Sequence, residues 1–157
     1  DEKQFRAVLG RFATGVCVVS AINPDGYPIG MTINSFSSVS LVPSLVQWSI
    51  KNRSATYSLF SDLAAYSISF LSEKQLDISN RYARVGDHIM EPDDYLISPS
   101  GIPFVKGSLA HCECRGWKIY QAGDHDIVVA IVERVSSNPH EEPLVFYKGG
   151  YRALIAG

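Results

Sequence analysis

What this chain lacks narrows its function before anything it contains. It has no excess of positive charge. Lys and Arg number 14 against 16 Asp and Glu, a formal net charge of −2, so it offers no basic field for a phosphate backbone, and nucleic acid is not an expected partner. It has no long apolar run. The longest aliphatic stretch, residues 127–132, falls far short of the ~20 residues of a membrane-spanning helix. The opening Asp1-Glu2-Lys3-Gln4-Phe5-Arg6 also lacks the apolar centre of a secretory signal. A cytoplasmic protein without membrane contact is the expectation. Cysteine is scarce: Cys17, Cys112 and Cys114 are odd in number, and the last two stand two apart rather than at a CxxC spacing, which predicts buried thiols and no metal site. Catalytic signatures are missing too. No GxGxxG follows a strand pattern, there is no GxSxG elbow and no Walker loop, and His88, His111 and His140 have no obvious nucleophile partner. Rossmann, P-loop and serine hydrolase chemistry are therefore disfavoured. A chain with no dedicated acid, base or nucleophile can still be an enzyme if cofactors do the reacting.

What is present is an ordinary globular composition, 46% hydrophobic and 19% charged over 157 residues, which fits a single domain spanning residues 1–157. Phe5, Val8, Leu9 and Phe12 recur at i, i+3, i+4 and i+7 and predict a short opening helix that caps a sheet. The run through Val16, Val18 and Val19 predicts a buried strand over 14–21, and Asn23-Pro24-Asp25-Gly26 a turn that returns it antiparallel. Alternation predicts half-buried strands over 44–50, with Val46, Trp48 and Ile50 on one face, and over 64–71, with Tyr66, Ile68 and Phe70. Between them residues 54–63 predict a helix N-capped by Ser54, and Ser72 with Gln75 forms a capping box for another helix through about Arg84. Residues 86–103, with three prolines, predict a surface loop or a lid. Further strands are predicted over 109–114, 127–135 and 144–147, with turns at Gly123-Asp124 and Lys148-Gly149-Gly150. About seven strands and three helices without regular alternation argue for a mainly β fold, an antiparallel barrel rather than a doubly wound sheet.

The second arm of the first hairpin is the most informative segment. Residues 30–40 set Thr32, Asn34, Ser35, Ser37 and Ser38 beside Met31 and Phe36, a density of donors and acceptors that a strand serving only a core does not need. The segment reads either as an exposed edge strand or as a bed for a flat polar ligand. Farther on, Lys51 and Arg53 gather with the hydroxyls of Ser49, Ser54 and Thr56 at a predicted helix start, where unpaired N–H groups and the helix dipole favour an anion. Alone, this is equally an N-capped helix beside a solvated basic turn. In an antiparallel barrel the two segments can lie side by side, and a phosphorylated planar cofactor fits that pairing. His125 stands between Asp124 and Asp126 at a strand entrance, placed to hydrogen-bond a cofactor amide or simply to occupy a turn. Tyr147 and Tyr151 flank a flexible turn and read as readily as the edge of a core.

In combination and in order, FRAVLGRFATGVCVV, GMTINSFSSVSLVPSLVQWSI, KNRSATYSLF, SISFLSEKQ, GDHDIVVAIVE and PLVFYKGGY resemble the short-chain flavin reductase family over residues 5–151. These reductases supply two-component monooxygenases. The resemblance implies a flavin-binding split β-barrel with a few short flanking helices, a homodimer, and hydride transfer from NADH, or NADPH, to FAD or FMN. The reduced flavin then leaves for a separate flavin-dependent monooxygenase. Carried over by position, it implies that Met31, Thr32, Asn34 and Ser35 line the isoalloxazine, with Ser38 and Val39 close to it. Ser49, Lys51, Ser54 and Thr56 would hold the ribityl and phosphate portion, and Arg81 would touch the tail. His125, Tyr147, Gly150 and Tyr151 would seat the nicotinamide dinucleotide. No side chain is implied as a catalyst of its own, and His125 has at most a supporting role. The chain departs from the family at Pro43-Ser44, where two adjacent prolines are common; φ stays fixed at Pro43, so the strand should remain intact. Two other readings stay open: a split-barrel flavoprotein oxidase that retains its flavin, and a non-catalytic barrel that binds flavin or haem through His125 or His111.

Overall fold

Strands dominate because β-branched and aromatic residues alternate through most of the chain. In the computed structural model, which describes residues 1–61 and 65–157, helix α1 (Glu2–Leu9) leads into β1 (Thr14–Gly15), β2 (Cys17–Ile22), β3 (Pro28–Ile33), β4 (Ser37–Leu41) and β5 (Ser44–Lys51). Next come α2 (Tyr57–Ser61), β6 (Tyr66–Phe70), a 3-10 turn at Glu73–Gln75 and α3 (Leu76–Ala83). A second 3-10 turn (Pro92–Asp94) precedes β7 (Tyr95–Ile97), β8 (Pro103–Val105), β9 (Ala110–Ala122), β10 (His125–Ser137), β11 (Val145–Tyr147) and β12 (Gly150–Arg152). The described ladders are antiparallel. They form a seven-stranded sheet in the order β3-β2-β6-β9-β10-β5-β4, a three-stranded sheet β1-β11-β12 and a β7-β8 hairpin. The departure at Pro43-Ser44 leaves β5 intact.

Among the described residues no ladder joins β3 to β4, so backbone hydrogen bonds do not close this sheet into a barrel. The cause lies in the hydroxyl-rich stripe, which is not one strand. β3 stops at Ile33, Asn34-Ser35-Phe36 leave the ladder, and β4 begins at Ser37 on the opposite edge, paired with β5. A side chain makes the crossing: Ser35 Oγ accepts from the Ser49 backbone N–H at 2.9 Å and donates to the Ser49 carbonyl at 3.3 Å. The two halves of the stripe thus occupy opposite edges of the sheet, and a serine clip draws the end of β3 against β5.

Two cores support this arrangement. In the larger, Trp48, Phe60 and Tyr66 meet edge to face with ring centroids 5.7, 5.9 and 6.5 Å apart, and Trp48 Nε1 donates to Tyr66 Oη at 3.1 Å, so the polar tips of both rings are satisfied inside the core. The smaller core gathers Val16, Val18, Leu71, Tyr82, Met90, Val105 and Leu144. Cys17 and Cys114 are buried and Cys112 partly so, and burial pushes the Cys17 thiol up to about 12, which keeps it protonated and inert.

Several local expectations need correction. Helix α1 forms but caps nothing: Phe5, Val8, Leu9 and Phe12 stay exposed, because the helix end is moored to the β11–β12 turn by Lys148 N–H donating to the Gly10 carbonyl at 2.9 Å. Helix α2 starts at Tyr57 rather than Ser54, since Ser54 Oγ takes the Thr56 N–H at 3.2 Å and closes a turn first. Its expected end at Leu63 and the expected strand start at Ala64 lie outside the described residues. The Ser72–Gln75 capping box forms, yet it opens a 3-10 turn before α3, which ends at Ala83. Residues 86–103 are a loop only in part, over 86–91 and 98–102. They hold a 3-10 turn and most of a short hairpin, pinned by buried Asp94, which accepts from Tyr82 Oη at 2.5 Å and from Arg81. Strands β9 and β10 run 13 residues each, well beyond their apolar parts.

Candidate functional site

Alternation on two neighbouring strands builds one wall of a cleft. On β5, Val46, Trp48 and Ile50 are buried, which turns Ser49 and Lys51 to the other face. The ladder with β10 sets Lys51 opposite His125 and Ser49 opposite Ile127, so these four side chains share one surface. The end of β3, the 34–36 crossing and the segment after α3 converge on that surface and enclose a cleft of about 870 Å³.

His125 is held from two sides. It follows Gly123, whose φ of +74° suits the one residue without a Cβ. Its Nδ1 lies 2.7 Å from Asp124 Oδ1. A carboxylate only accepts, so Nδ1 carries the hydrogen and Nε2 remains for a ligand. The same hydrogen bond, and then the neighbouring imidazole charge, hold the Asp124 carboxyl below its usual range. Behind the ring, buried Asp126 accepts from Tyr57 Oη and, at 3.5 Å, from Asn52 Nδ2. Asn52 Nδ2 also donates to the Gly123 carbonyl at 3.0 Å, and its backbone N–H to the Asp124 carbonyl at 3.1 Å. The β9–β10 turn is thereby clamped onto the end of β5.

The opposite wall is the stripe, and its hydroxyls are largely committed to the protein. Thr32 Oγ1 donates to the Ser79 carbonyl at 2.8 Å, and Ser35 forms the clip to Ser49. Ser54 Oγ and Thr56 Oγ1 lie 2.7 Å apart, and Thr56 Oγ1 meets Met31 Sδ at 3.2 Å. Asn34 differs: it is exposed and its amide makes no hydrogen bond with any described residue. The third wall comes from the segment after α3. There His88 adopts φ +59°, with Nδ1 3.0 Å from the Gly30 carbonyl.

Of the residues marked in the sequence, the cleft brings together Met31, Thr32, Asn34, Ser35, Ser49, Lys51, Ser54 and His125. The others stand outside its walls. Ser38 and Val39 lie along β4, where the ladder slips a residue. Thr56 is buried behind Met31. Arg81 pairs with Asp94, and that hydrogen bond raises its pKa further. Tyr147 and Gly150 sit on the small sheet, and Tyr151 reaches the region only indirectly, its Oη 2.7 Å from Ser79 Oγ. Sequence reasoning missed Arg84 and His88, both in the cleft wall. One signal was available: Gly86-Asp87-His88 repeats the tripeptide Gly123-Asp124-His125.

The charge of the lining is one-sided. Lys51 and Arg84 face the cleft and none of the described Asp or Glu residues does, in a chain whose net charge is −2. Such a lining concentrates anionic ligands. Helix α2 adds little, being only five residues long.

Comparison with known proteins adds the following. The family model described as a flavin reductase like domain matches residues 9–154. A flavin reductase of Pseudomonas putida is 35% identical over 156 residues, covering 99% of this chain and 92% of that protein. The FMN reductase (NADH) SmoA of Agrobacterium fabrum is 42% identical over 151 residues, covering 96% and 85%. Among solved structures, the NADH:FAD oxidoreductase SgcE6 of Streptomyces globisporus, in complex with NAD and FAD fragments, superimposes with a TM-score of 0.92 at 31% identity over 99% of this chain and 93% of that one. The styrene monooxygenase flavin reductase of Pseudomonas putida gives 0.88 at 31% identity over 98% and 99%.

Proposed function

The chain belongs to the flavin reductase family and is an NAD(P)H-dependent flavin reductase serving a separate monooxygenase, and we propose that the reaction takes place in the cleft between β3, β5 and β10. The observation that carries this assignment is the lining itself: apolar Met31 and Ile127 for a planar ring system, the uncommitted Asn34 amide for its polar edge, and Lys51 with Ser54 for a phosphate. These donors fit FAD or FMN.

When bound, the flavin accepts at N5 the hydride that nicotinamide C4 gives up. The protein's part is geometric. Near-attack stacking requires reacting atoms about 3–3.5 Å apart, and the rigid β5–β10 ladder with the Ser35 clip supplies a fixed bed for it. Asn34 directs a donor at a ring that gains negative charge, stabilisation that requires no reorganisation during reaction. His125, clamped by Asp124 and the Asn52 contacts, orients the nicotinamide. No nucleophile is needed. NADH is the favoured reductant, and NADPH a weaker one.

On this reading the open sheet is a split barrel whose seam is the Ser35–Ser49 clip, and the chain is a single domain acting as a cytoplasmic homodimer. The exposed stripe Phe5, Val8, Leu9 and Phe12 supports the dimer, since a large uncovered apolar face favours association. No helix among the described residues is long and apolar enough to cross a membrane. Sedimentation at micromolar concentration showing a monomer would contradict the dimer.

The activity is tested by adding NADH and free FMN or FAD to the purified protein and following the NADH absorbance band. NADH oxidation that rises with added flavin is the expected result. Flavin retained through gel filtration without NADH oxidation would instead favour the oxidase reading, and absence of both would leave only a binding module.

A further inference from the structure

Tyr57 and Asp126 line no part of the cleft, yet they meet directly behind it. Alternation along β10 turns His125 and Ile127 toward the cleft and Asp126 away from it. Asp126 is 3% exposed. Its Oδ2 accepts from Tyr57 Oη, and its Oδ1 takes Asn52 Nδ2 at 3.5 Å. Tyr57 is the first residue of α2, and Phe60, buried against Trp48 and Tyr66, holds the far end of that helix. Packing alone does not require a phenol on a buried carboxyl, because apolar groups of the same shape in both places serve a core about as well. What the pair does supply is a connection.

The connection runs from the turn that carries Ser54 to the turn that carries His125. Each hydroxyl has one proton to give. Thr56 Oγ1 gives its proton to Met31 Sδ at 3.2 Å, so in the 2.7 Å contact between Ser54 Oγ and Thr56 Oγ1 the serine is the donor. Ser54 Oγ also accepts the Thr56 N–H at 3.2 Å. A phosphate that takes the Ser54 proton therefore withdraws it from Thr56, the residue before Tyr57, and cannot bind without resetting this turn. Phe60 fixes the helix beyond, so a shift at Thr56 passes to Tyr57 rather than being spread along α2. Tyr57 Oη carries it to Asp126, the chain neighbour of His125.

Building on the assignment of Ser54 and Lys51 to a flavin phosphate and of His125 to the nicotinamide, we propose that Tyr57 and Asp126 are positioning residues that couple the two. Phosphate held at Ser54 sets the Tyr57–Asp126 hydrogen bond, and that bond sets His125 for NADH. The phosphate, remote from the reacting ring, thereby contributes to hydride transfer, as binding energy from non-reacting parts of a substrate does when it orients the reacting centre.

FMN and riboflavin share one isoalloxazine and differ in the phosphate, so kcat/KM for NADH, measured with each flavin at saturation, reads the coupling. In the wild type the FMN value should exceed the riboflavin value about tenfold, within the usual range of coupling between two sites. Tyr57→Phe, which removes only the hydroxyl, and Asp126→Ala should each bring the ratio to within about twofold of unity, by lowering the FMN value while the riboflavin value barely moves. Asp126→Asn keeps an acceptor for Tyr57 Oη and should retain most of the wild-type ratio. The double variant Tyr57→Phe with Asp126→Ala should change the ratio no more than Tyr57→Phe alone, since both act through one bond. A pair that only stabilised the fold would lower both values together, so an unchanged ratio in Tyr57→Phe would overturn the coupling. So would a wild-type ratio near unity in a protein that binds FMN more tightly than riboflavin in fluorescence titrations. Equal binding of the two flavins by the wild type would show that no phosphate is held at Ser54 and Lys51, and would overturn the cleft assignment together with the coupling.

Discussion

Two identical tripeptides, Gly86-Asp87-His88 and Gly123-Asp124-His125, bring a histidine to one cleft by different routes. In the second the glycine takes the left-handed turn, φ +74°, and the histidine begins β10; in the first the histidine itself takes it, φ +59°. The partners differ as well. His88 Nδ1 is fixed to a main-chain carbonyl on β3, whereas His125 Nδ1 is fixed to an exposed carboxylate. A main-chain partner makes the ring part of the fold. A carboxylate partner on the surface orients the ring while leaving Nε2 for a ligand. The ring's neighbour, rather than the local sequence, decides the role.

His125→Ala is the substitution with the largest expected consequence. It should lower kcat/KM for NADH about a hundredfold, as misplacement of a reacting group does, and flavin affinity should barely change. An equal loss in His88→Ala would erase the distinction between the two histidines. Within the stripe, Asn34→Ala should raise the FMN dissociation constant about tenfold and leave the urea midpoint unchanged, since the amide supports nothing in the fold. Unaltered affinity would remove Asn34 from the site. Ser35→Ala should do the reverse, lowering the unfolding free energy by about 1–2 kcal/mol because the Ser49 N–H loses its acceptor; urea denaturation measures it. His88→Ala should cost about 1 kcal/mol in the same assay, one hydrogen bond's worth. His125→Ala should leave the urea midpoint essentially where it is, since its partner Asp124 is exposed and screened, and matching losses would contradict the contrast.

The smallest effect comes from a third histidine, remote from the cleft. His111 stacks on Phe104 with ring centroids 4.0 Å apart, and burial lowers its pKa from 6.5. With the folded value depressed, the unfolded chain takes up the proton first as pH falls. The contribution to stability is therefore complete above 6.5 and is lost as pH drops through the folded value. Thermal unfolding followed across that window should show a decline in Tm that is shallower in His111→Gln. Identical slopes would remove His111 as its source.

How much of this could be read in advance depended on whether the governing interaction was local. The alternation of Val46, Trp48 and Ile50 and the Ser72–Gln75 capping box are local, and both appear where the sequence puts them. The split of the stripe into β3 and β4 is not, because Asn34-Ser35-Phe36 contains neither Gly nor Pro and the break is enforced by Ser49, fourteen residues away. Strands β7 and β8 escaped notice since each pairs over only three residues. The outer half of β9 escaped because its exposed residues have no burial rhythm. In the cleft, Lys51 and His125 were visible as separate charged turns, but their juxtaposition is a register fact between distant strands. Thr32, Ser35 and Thr56 looked equally available as hydroxyls, and only packing shows that each already has a partner. Arg84 lay hidden at the boundary between a helix and what read as a loop.

Diffraction from a crystal of this protein soaked with FMN tests the central claim most directly. The account predicts the isoalloxazine in the cleft against Met31 and Ile127, with its phosphate within hydrogen-bond reach of Ser54 and Lys51. Flavin density elsewhere, for instance in the shallow groove beside Phe60, Trp117 and Ile119, would contradict it.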